Sequence, residues 1–275
     1  MENATWRLII SSSPHHGAVN MASDEAILFA VGKRIAPPTL RLYSWKTPCL
    51  SLGFAQSTSD VDLNKLSELN WELVRRPTGG KAILHCDELT YAVIAPIDEP
   101  RVQGSVLSSY LRLSQGLLRA LSIMGALAHS QESYGESGNA KTKGPVCFEV
   151  PSNYEITIDG KKIIGSAQAR RNGGVLQHGT LPLFGDLTRI TKVLKFDTPA
   201  NQNEVSQRLL KHATTLETAL GTITPWEQAC QAFTEGFSNA LDLYFLEEEL
   251  SPEEVALAEK LFHSKYNHES WTFRK

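Results

Sequence analysis

No apolar run in the 275 residues approaches the ~20 needed to cross a bilayer. The opening residues 1–16 carry an acid at Glu2 and an apolar stretch too short for a secretory signal. Both absences exclude a membrane-spanning or exported reading, and the expected location is the cytoplasm. Cysteine is scarce. Cys49, Cys86, Cys147 and Cys230 lie far apart with no CxxC pair, which excludes a disulfide scaffold and fits a reducing compartment. There is no basic excess, since 27 Lys and Arg face 30 Asp and Glu for a net charge of -3, so a nucleic-acid partner is not expected. With 19 glycines and 13 prolines, neither a fibre nor a disordered chain fits.

Nucleotide and metal motifs are also missing. Gly79-Gly80-Lys81 resembles the end of a phosphate-cradling GxxxxGK[ST] loop, but that motif needs Gly at Arg75 and Ser or Thr at Ala82. His85-Cys86-Asp87-Glu88 places four potential ligands in a row. Adjacent residues cannot all converge on one ion, so the run reads as a strand-to-loop corner and no metal site is expected.

What is present is a mixed α/β pattern, expected to form one catalytic domain over residues 1–275, with a core to about 225 and a helical segment over 226–275. Strands are predicted over 6–10, 39–43, 71–74, 82–84, 89–94, 154–158, 162–164 and 174–183. Asp159-Gly160 suits the positive φ angles of a hairpin turn. Helices are predicted over 19–31, around Asp24-Glu25, and over 102–127 with a bend at Gly116. Ser251-Pro252-Glu253-Glu254 carries Ser as N-cap, Pro at the first helical position and Glu three residues past the cap. Residues 130–144 are polar and Gly-rich, the composition of a mobile loop serving as a lid or binding loop.

Charge is uneven. Beyond Pro225, ten carboxylates face four cations, whereas Arg75-Arg76, Lys141 with Lys143, Lys161-Lys162 and Arg170-Arg171 form short basic clusters. Each cluster alone reads as a solvated face, and together they form a candidate positive rim for an acidic partner. Three polar, Gly-containing segments fall at strand ends, as a site on the rim of a sheet requires: Arg76 to His85, Gly165-Ser166-Ala167-Gln168, and Gln177-His178-Gly179-Thr180. Cys49, Cys86 and Cys230 read as small buried hydrophobes. Cys147 differs, because it ends the Gly-rich loop and lies fifteen residues before Lys162 on the far strand of a hairpin. A nearby ammonium raises a thiol's thiolate fraction, and a thiolate in a cleft is suited to acyl transfer.

RRPTGGKAILHCDELTYAVIAP (75–96), CFEVPSNYEITIDGKKIIGSAQARRNGGVLQHGTLPL (147–183), the tail LFHSKYNHESWTFRK (261–275) and GAVNMASDEAIL (17–28) resemble the lipoate–protein ligase A superfamily. Within it they are most similar to the cysteine-dependent octanoyltransferases of lipoate synthesis, the LipM type. The resemblance implies the mixed α/β catalytic fold shared with biotin protein ligases. It also implies transfer of an octanoyl group from acyl carrier protein to a lysine of a lipoyl-domain protein, such as the glycine-cleavage H protein. Cys147 matches the family nucleophile, which forms an acyl thioester, and Lys162 the lysine beside the acyl carbonyl. Arg76, Thr78, Gly79, Gly80 and His85 match the segment lining the acyl pocket. Gly165, Ser166, Gln168, His178 and Gly179 match the strand ends opposite it.

A thioester is already activated, so no ATP and no other cofactor are expected. His85 is either a base for the acceptor amine or only a wall of the pocket, and Arg170, Arg171, Lys141 and Lys143 suit an acidic carrier. Two rival activities share parts of these motifs. One is an ATP-dependent lipoate–protein ligase, which needs no cysteine; the other is an octanoyl amidotransferase between lipoyl-domain proteins.

Overall fold

The structure is a computed structural model that describes residues 2–132 and 154–274. Eleven strands are described: β1 (Ala4–Ile10), β2 (Thr39–Tyr43), β3 (Cys49–Leu52), β4 (Glu72–Arg75), β5 (Ile83–His85), β6 (Glu88–Pro96), β7 (His129–Glu132), β8 (Tyr154–Ile158), β9 (Lys161–Arg171), β10 (Gly174–Pro182) and β11 (Leu243–Glu247). Eight form one mixed sheet in the order β11-β1-β2-β6-β10-β9-β8-β7, and three form a second sheet in the order β4-β3-β5. In the larger sheet β1 runs parallel to β11 and β2, while β2, β6, β10, β9, β8 and β7 pair antiparallel.

Strand alternation sorts the side chains into two layers. Trp6 and Leu8 of β1, Leu89, Tyr91 and Val93 of β6 and Val175 of β10 face α3 (Val106–Ile123) and α6 (Trp226–Leu241). The alternate residues Ile9, Ala92, Ile94 and Leu176 face α1 (Gly17–Gly32). The small sheet lies beside α1, where Cys49 and Val74 pack with Met21, Ala22 and Tyr266. Burying each leucine, isoleucine, valine or methionine among them contributes roughly 1.5–3 kcal/mol.

The expected bend at Gly116 is absent, and α3 runs unbroken from Val106 to Ile123. Gly116 is where α6 crosses: a Cβ there would sit 2.9 Å from the Phe237 ring, and one at Gly236 would sit 2.5 Å from the Ala120 backbone nitrogen. Both glycines permit close helix approach. The hairpin turn forms as expected, with Asp159 and Gly160 at φ 49° and 73°. So does the start of α7 (Pro252–Leu261), where Ser251 and Glu254 cap each other.

The C-terminal part is not wholly helical, because β11 inserts there and pairs with β1. The tail is then tied back. The buried Arg75 guanidinium donates to carbonyls of Gly53 and Gln56 on one side and of Trp271, Thr272 and Arg274 on the other. Glu25 accepts from Lys265 at 2.6 Å and from the Tyr266 hydroxyl at 2.6 Å. The Arg75-Arg76 pair is therefore buried structure, not a solvated face. No helix among the described residues is long and apolar enough to cross a membrane.

Candidate functional site

A cavity lies between the α1-side face of the large sheet and the small sheet. Its walls include Arg76, Gly80, His85, Gly165, Ser166, His178 and Gly179, so seven residues expected from the sequence converge on one space. Met21, Tyr43, Trp45, Thr90 and Thr180 complete most of the lining. Thr180 belongs to a segment expected at the site, but the other four look like ordinary strand, loop or helix residues, and only the fold brings them together.

Arg76 shapes one end. Its guanidinium donates to the Ser51 carbonyl and hydroxyl at 3.0 Å each, to the Gly79 carbonyl at 2.9 Å and to the Lys81 carbonyl at 2.7 Å. One buried cation thus holds the 76–81 loop closed. Gly80 adopts φ +95°, a conformation open to glycine, and a Cβ there would sit 2.8 Å from Arg76 Nη2.

Two histidines form the walls. His178 Nδ1 donates to Asp24 Oδ2 at 3.2 Å, and Thr78 Oγ1 meets Nε2 at 2.7 Å. Burial pushes the His178 pKa below its ordinary value, outweighing the Asp24 bond and charge. Burial also opposes ionisation of Asp24, but the His178 hydrogen bond and the Arg41 charge prevail and hold its carboxyl below the usual range. A neutral ring that donates from Nδ1 must accept at Nε2, so the Thr78 hydroxyl is the donor. Asp24 further accepts from Arg41 at 2.7 Å and from the Tyr43 hydroxyl at 3.0 Å.

His85 repeats the arrangement. Its Nδ1 pairs with Glu88 Oε1 at 2.7 Å, its Nε2 pairs with the Ser51 hydroxyl at 2.7 Å, and its ring stacks on Trp45 at 4.0 Å. Thr90 Oγ1 accepts from Trp45 Nε1 at 2.8 Å and donates to Glu88 at 2.5 Å. With both ring nitrogens engaged, the geometry favours His85 as a wall.

Lys162 reaches the same face through a bulge. Ile156 pairs with Ile164 but Thr157 pairs with Lys162, so the register shifts between them. Ile156 and Ile164 both enter the α3-side core. Thr157 alternates with Ile156, so Lys162 stands opposite Ile164 and shares its face with Gly165. Lys162 is 5% exposed and donates to Glu155 Oε1 at 2.9 Å. It is not among the residues lining the cavity.

Other expectations are placed differently. Gln168 faces α3, where it bonds Ser109 and Gln177 and accepts from Arg170 Nε at 3.0 Å. Thr78 and Gly79 support the cavity through His178 and Arg76 without lining it. Arg170 donates to the Val102 and Gly104 carbonyls, while Arg171 reaches the Pro77 carbonyl and lies over the Phe54 ring at 5.6 Å. Both arginines are half-buried, with their guanidinium groups hydrogen-bonded to backbone carbonyls of neighbouring loops. Cys147, Lys141 and Lys143 lie outside the described residues, as does all of the 130–144 loop beyond Glu132; residues 130–132 are in β7 rather than a loop. Cys49 and Cys230 are buried as expected, whereas Cys86 is half-buried; burial pushes Cys86 up to about 12 and the other two upward as well.

The lipoyl protein ligase A/B catalytic domain family matches residues 16–238. The chain belongs to that family. An octanoyltransferase LipM of Kyrpidia tusciae is 39% identical over 274 residues, covering 98% of this chain and 99% of that protein. One from Carboxydothermus hydrogenoformans is 38% identical over 271 residues, covering 98% and 99%. Among solved structures, a bipartite lipoate protein ligase from Thermoplasma acidophilum superposes with TM-score 0.80 at 24% identity, covering 98% of this chain and 97% of that one. A lipoate-protein ligase A bound with ATP superposes with TM-score 0.79 at 26% identity, covering 98% and 99%. The mixed α/β fold of the lipoate–protein ligases, expected from the motifs, is the fold observed.

Proposed function

We propose that this protein is an octanoyltransferase of lipoate synthesis that works through an acyl thioester on Cys147. The observation that carries this reading is the end-to-end similarity to octanoyltransferases LipM, at 34–39% identity across the relatives compared. The cavity with its mainly apolar interior supports it, as does the buried Lys162 on the cavity's face of the sheet.

In the first half-reaction the Cys147 thiolate attacks the octanoyl carbonyl of octanoyl-acyl carrier protein and expels the carrier thiolate. In the second, the amine of a lipoyl-domain lysine attacks the Cys147 thioester. An amide forms, the amine proton leaves, and the Cys147 thiolate is released. Both steps pass through a tetrahedral oxyanion, and the Lys162 ammonium supplies charge for it. Glu155 holds that ammonium in one place between turnovers. Arg76, Gly80, His178 and His85 keep the cavity shaped around the acyl chain, and Gly165, Ser166 and Gly179 form its strand-end wall.

The test is acceptor modification without ATP. Octanoyl-acyl carrier protein and apo glycine-cleavage H protein, mixed with the enzyme, should yield octanoylated acceptor by mass, and Cys147→Ser should yield none. Modification that appears only with ATP and free octanoate would establish a ligase instead. Modification from an octanoylated lipoyl-domain donor, but not from the carrier protein, would establish an amidotransferase.

A further inference from the structure

Four buried side-chain polar atoms among the described residues lack a hydrogen-bond partner: Trp6 Nε1, Thr47 Oγ1, Thr180 Oγ1 and Trp226 Nε1. Of these residues only Thr180 lines the central cavity. The contrast with its neighbours is sharp. Arg76, His85, His178, Thr90 and Trp45, which line the same space, all have protein partners. A buried hydroxyl left without a partner costs about 1–3 kcal/mol, so its retention calls for a partner the folded chain does not supply.

Register places this hydroxyl. Thr180 pairs with Gly165 of β9 and with Thr90 of β6. It stands two residues from His178 and so shares the cavity face with it. Gly165 offers no side chain on that face, and Lys162 follows on the same face across the bulge. Thr180 therefore sits one strand over from the gap between Lys162 and the cavity.

We propose that the Thr180 hydroxyl is a further substrate-contacting residue that donates a hydrogen bond to the carbonyl oxygen of the bound acyl group, alongside Lys162. The inference rests on the octanoyl-transfer reading. An octanoyl group is hydrocarbon apart from its carbonyl, so the carbonyl oxygen is the one strong acceptor it brings into the cavity. As the carbonyl becomes a tetrahedral oxyanion, this bond strengthens, which makes Thr180 a contributor to the rate and not only to binding. A lipoyl group carries the same carbonyl, so loss of the hydroxyl should affect octanoyl and lipoyl donors alike and leave chain-length preference unchanged.

The test pairs Thr180→Val, which keeps the shape and deletes the hydroxyl, with Thr180→Ser, which keeps the hydroxyl. Thr180→Val should lower kcat about 10- to 100-fold with KM little changed, while its Tm stays level or rises because an unpartnered polar atom has been removed. Thr180→Ser should stay within about threefold of wild type. In the acyl-enzyme formed from carbonyl-labelled octanoyl donor, the infrared carbonyl band should shift to higher frequency in Thr180→Val. The proposal is overturned if Thr180→Val keeps kcat within twofold and leaves the band in place, or if it loses activity only together with Tm. Absence of any acyl-enzyme in the wild type would instead overturn the transferase reading. The same Val and Ser pair, assayed with ATP and free octanoate, then decides Thr180's role separately, and an unchanged rate there overturns it as well.

Discussion

Two groups of polar residues surround one cavity and differ in how they use their hydrogen bonds. In the histidine walls, Thr78–His178–Asp24 and Ser51–His85–Glu88, each ring has both nitrogens engaged by the protein itself. At the strand ends of β9 and β10, Lys162 donates to Glu155 at 2.9 Å and Thr180 has no side-chain partner among the described residues. The first arrangement is self-contained and suits holding a shape. In the second, the Thr180 hydroxyl keeps capacity for a substrate, which is where chemistry belongs.

The sharpest way to break this comparison is at Lys162. Lys162→Met should reduce acyl transfer about 10²–10³-fold, the cost of losing one preorganised oxyanion partner. It should also lower Tm, since Glu155 loses the Lys162 ammonium in a largely buried site. The double variant Lys162→Met with Glu155→Met should recover Tm without recovering activity. Recovery of both would mean that the pair is structural.

Next comes Arg75, outside the cavity, whose guanidinium joins the 53–56 loop to the tail. Arg75→Ala strands several buried carbonyls and should cost about 3 kcal/mol or more. That is a Tm loss of roughly 6–12 °C for a chain of this size. Thermal unfolding monitored by circular dichroism checks it.

A smaller effect is expected at the walls. His85→Gln should lower kcat by less than about tenfold, because a general base would contribute about 10²–10⁴-fold. Its main effect should be on stability, because Glu88 and Ser51 each lose one of their hydrogen-bond partners. A fall of 10²-fold or more, with an altered pH–rate profile, would return His85 to the role of base.

The smallest effect is in pH. His178 has a folded pKa below its unfolded value of 6.5, and Asp24 is held below its own ordinary value of 3.8. The unfolded state therefore binds more protons than the folded one, so stability rises with pH. The His178 contribution is complete above about pH 6.5 and is lost as pH falls toward its folded value; Asp24 adds to the loss further into the acid range. Urea midpoints should fall from pH 7.5 to pH 5.0, and His178→Asn should flatten that dependence. Equal slopes in the two proteins would contradict the assignment.

Much of the scaffold was legible from local signals. β2 and β8 fall on the predicted residues, because β-branched and aromatic runs bounded by turns report directly on strands. The Asp159-Gly160 turn and the Ser251 cap were readable because their geometry depends on one or two residues. β3 and β11 were not, since CLSL is short and follows a proline, and LYFLE runs into an acidic stretch that reads as solvated helix. The face of Lys162 was hidden too, because only the register shift in β9 reveals it. Asp24 left a faint signal, an acid inside an apolar helical pattern, and it proves fully buried. Thr180 was legible only as the end of the Gln177-His178-Gly179-Thr180 segment; its missing partner is seen only in the structure.

The central claim is a covalent octanoyl-enzyme formed without ATP. Intact-protein mass spectrometry after mixing the enzyme with octanoyl-acyl carrier protein reads it directly. The account predicts one octanoyl adduct on the wild type, none on Cys147→Ser, and discharge of the adduct by an apo lipoyl-domain protein. An adduct that persists in Cys147→Ser, or none in the wild type while ATP and free octanoate modify the acceptor, would contradict it.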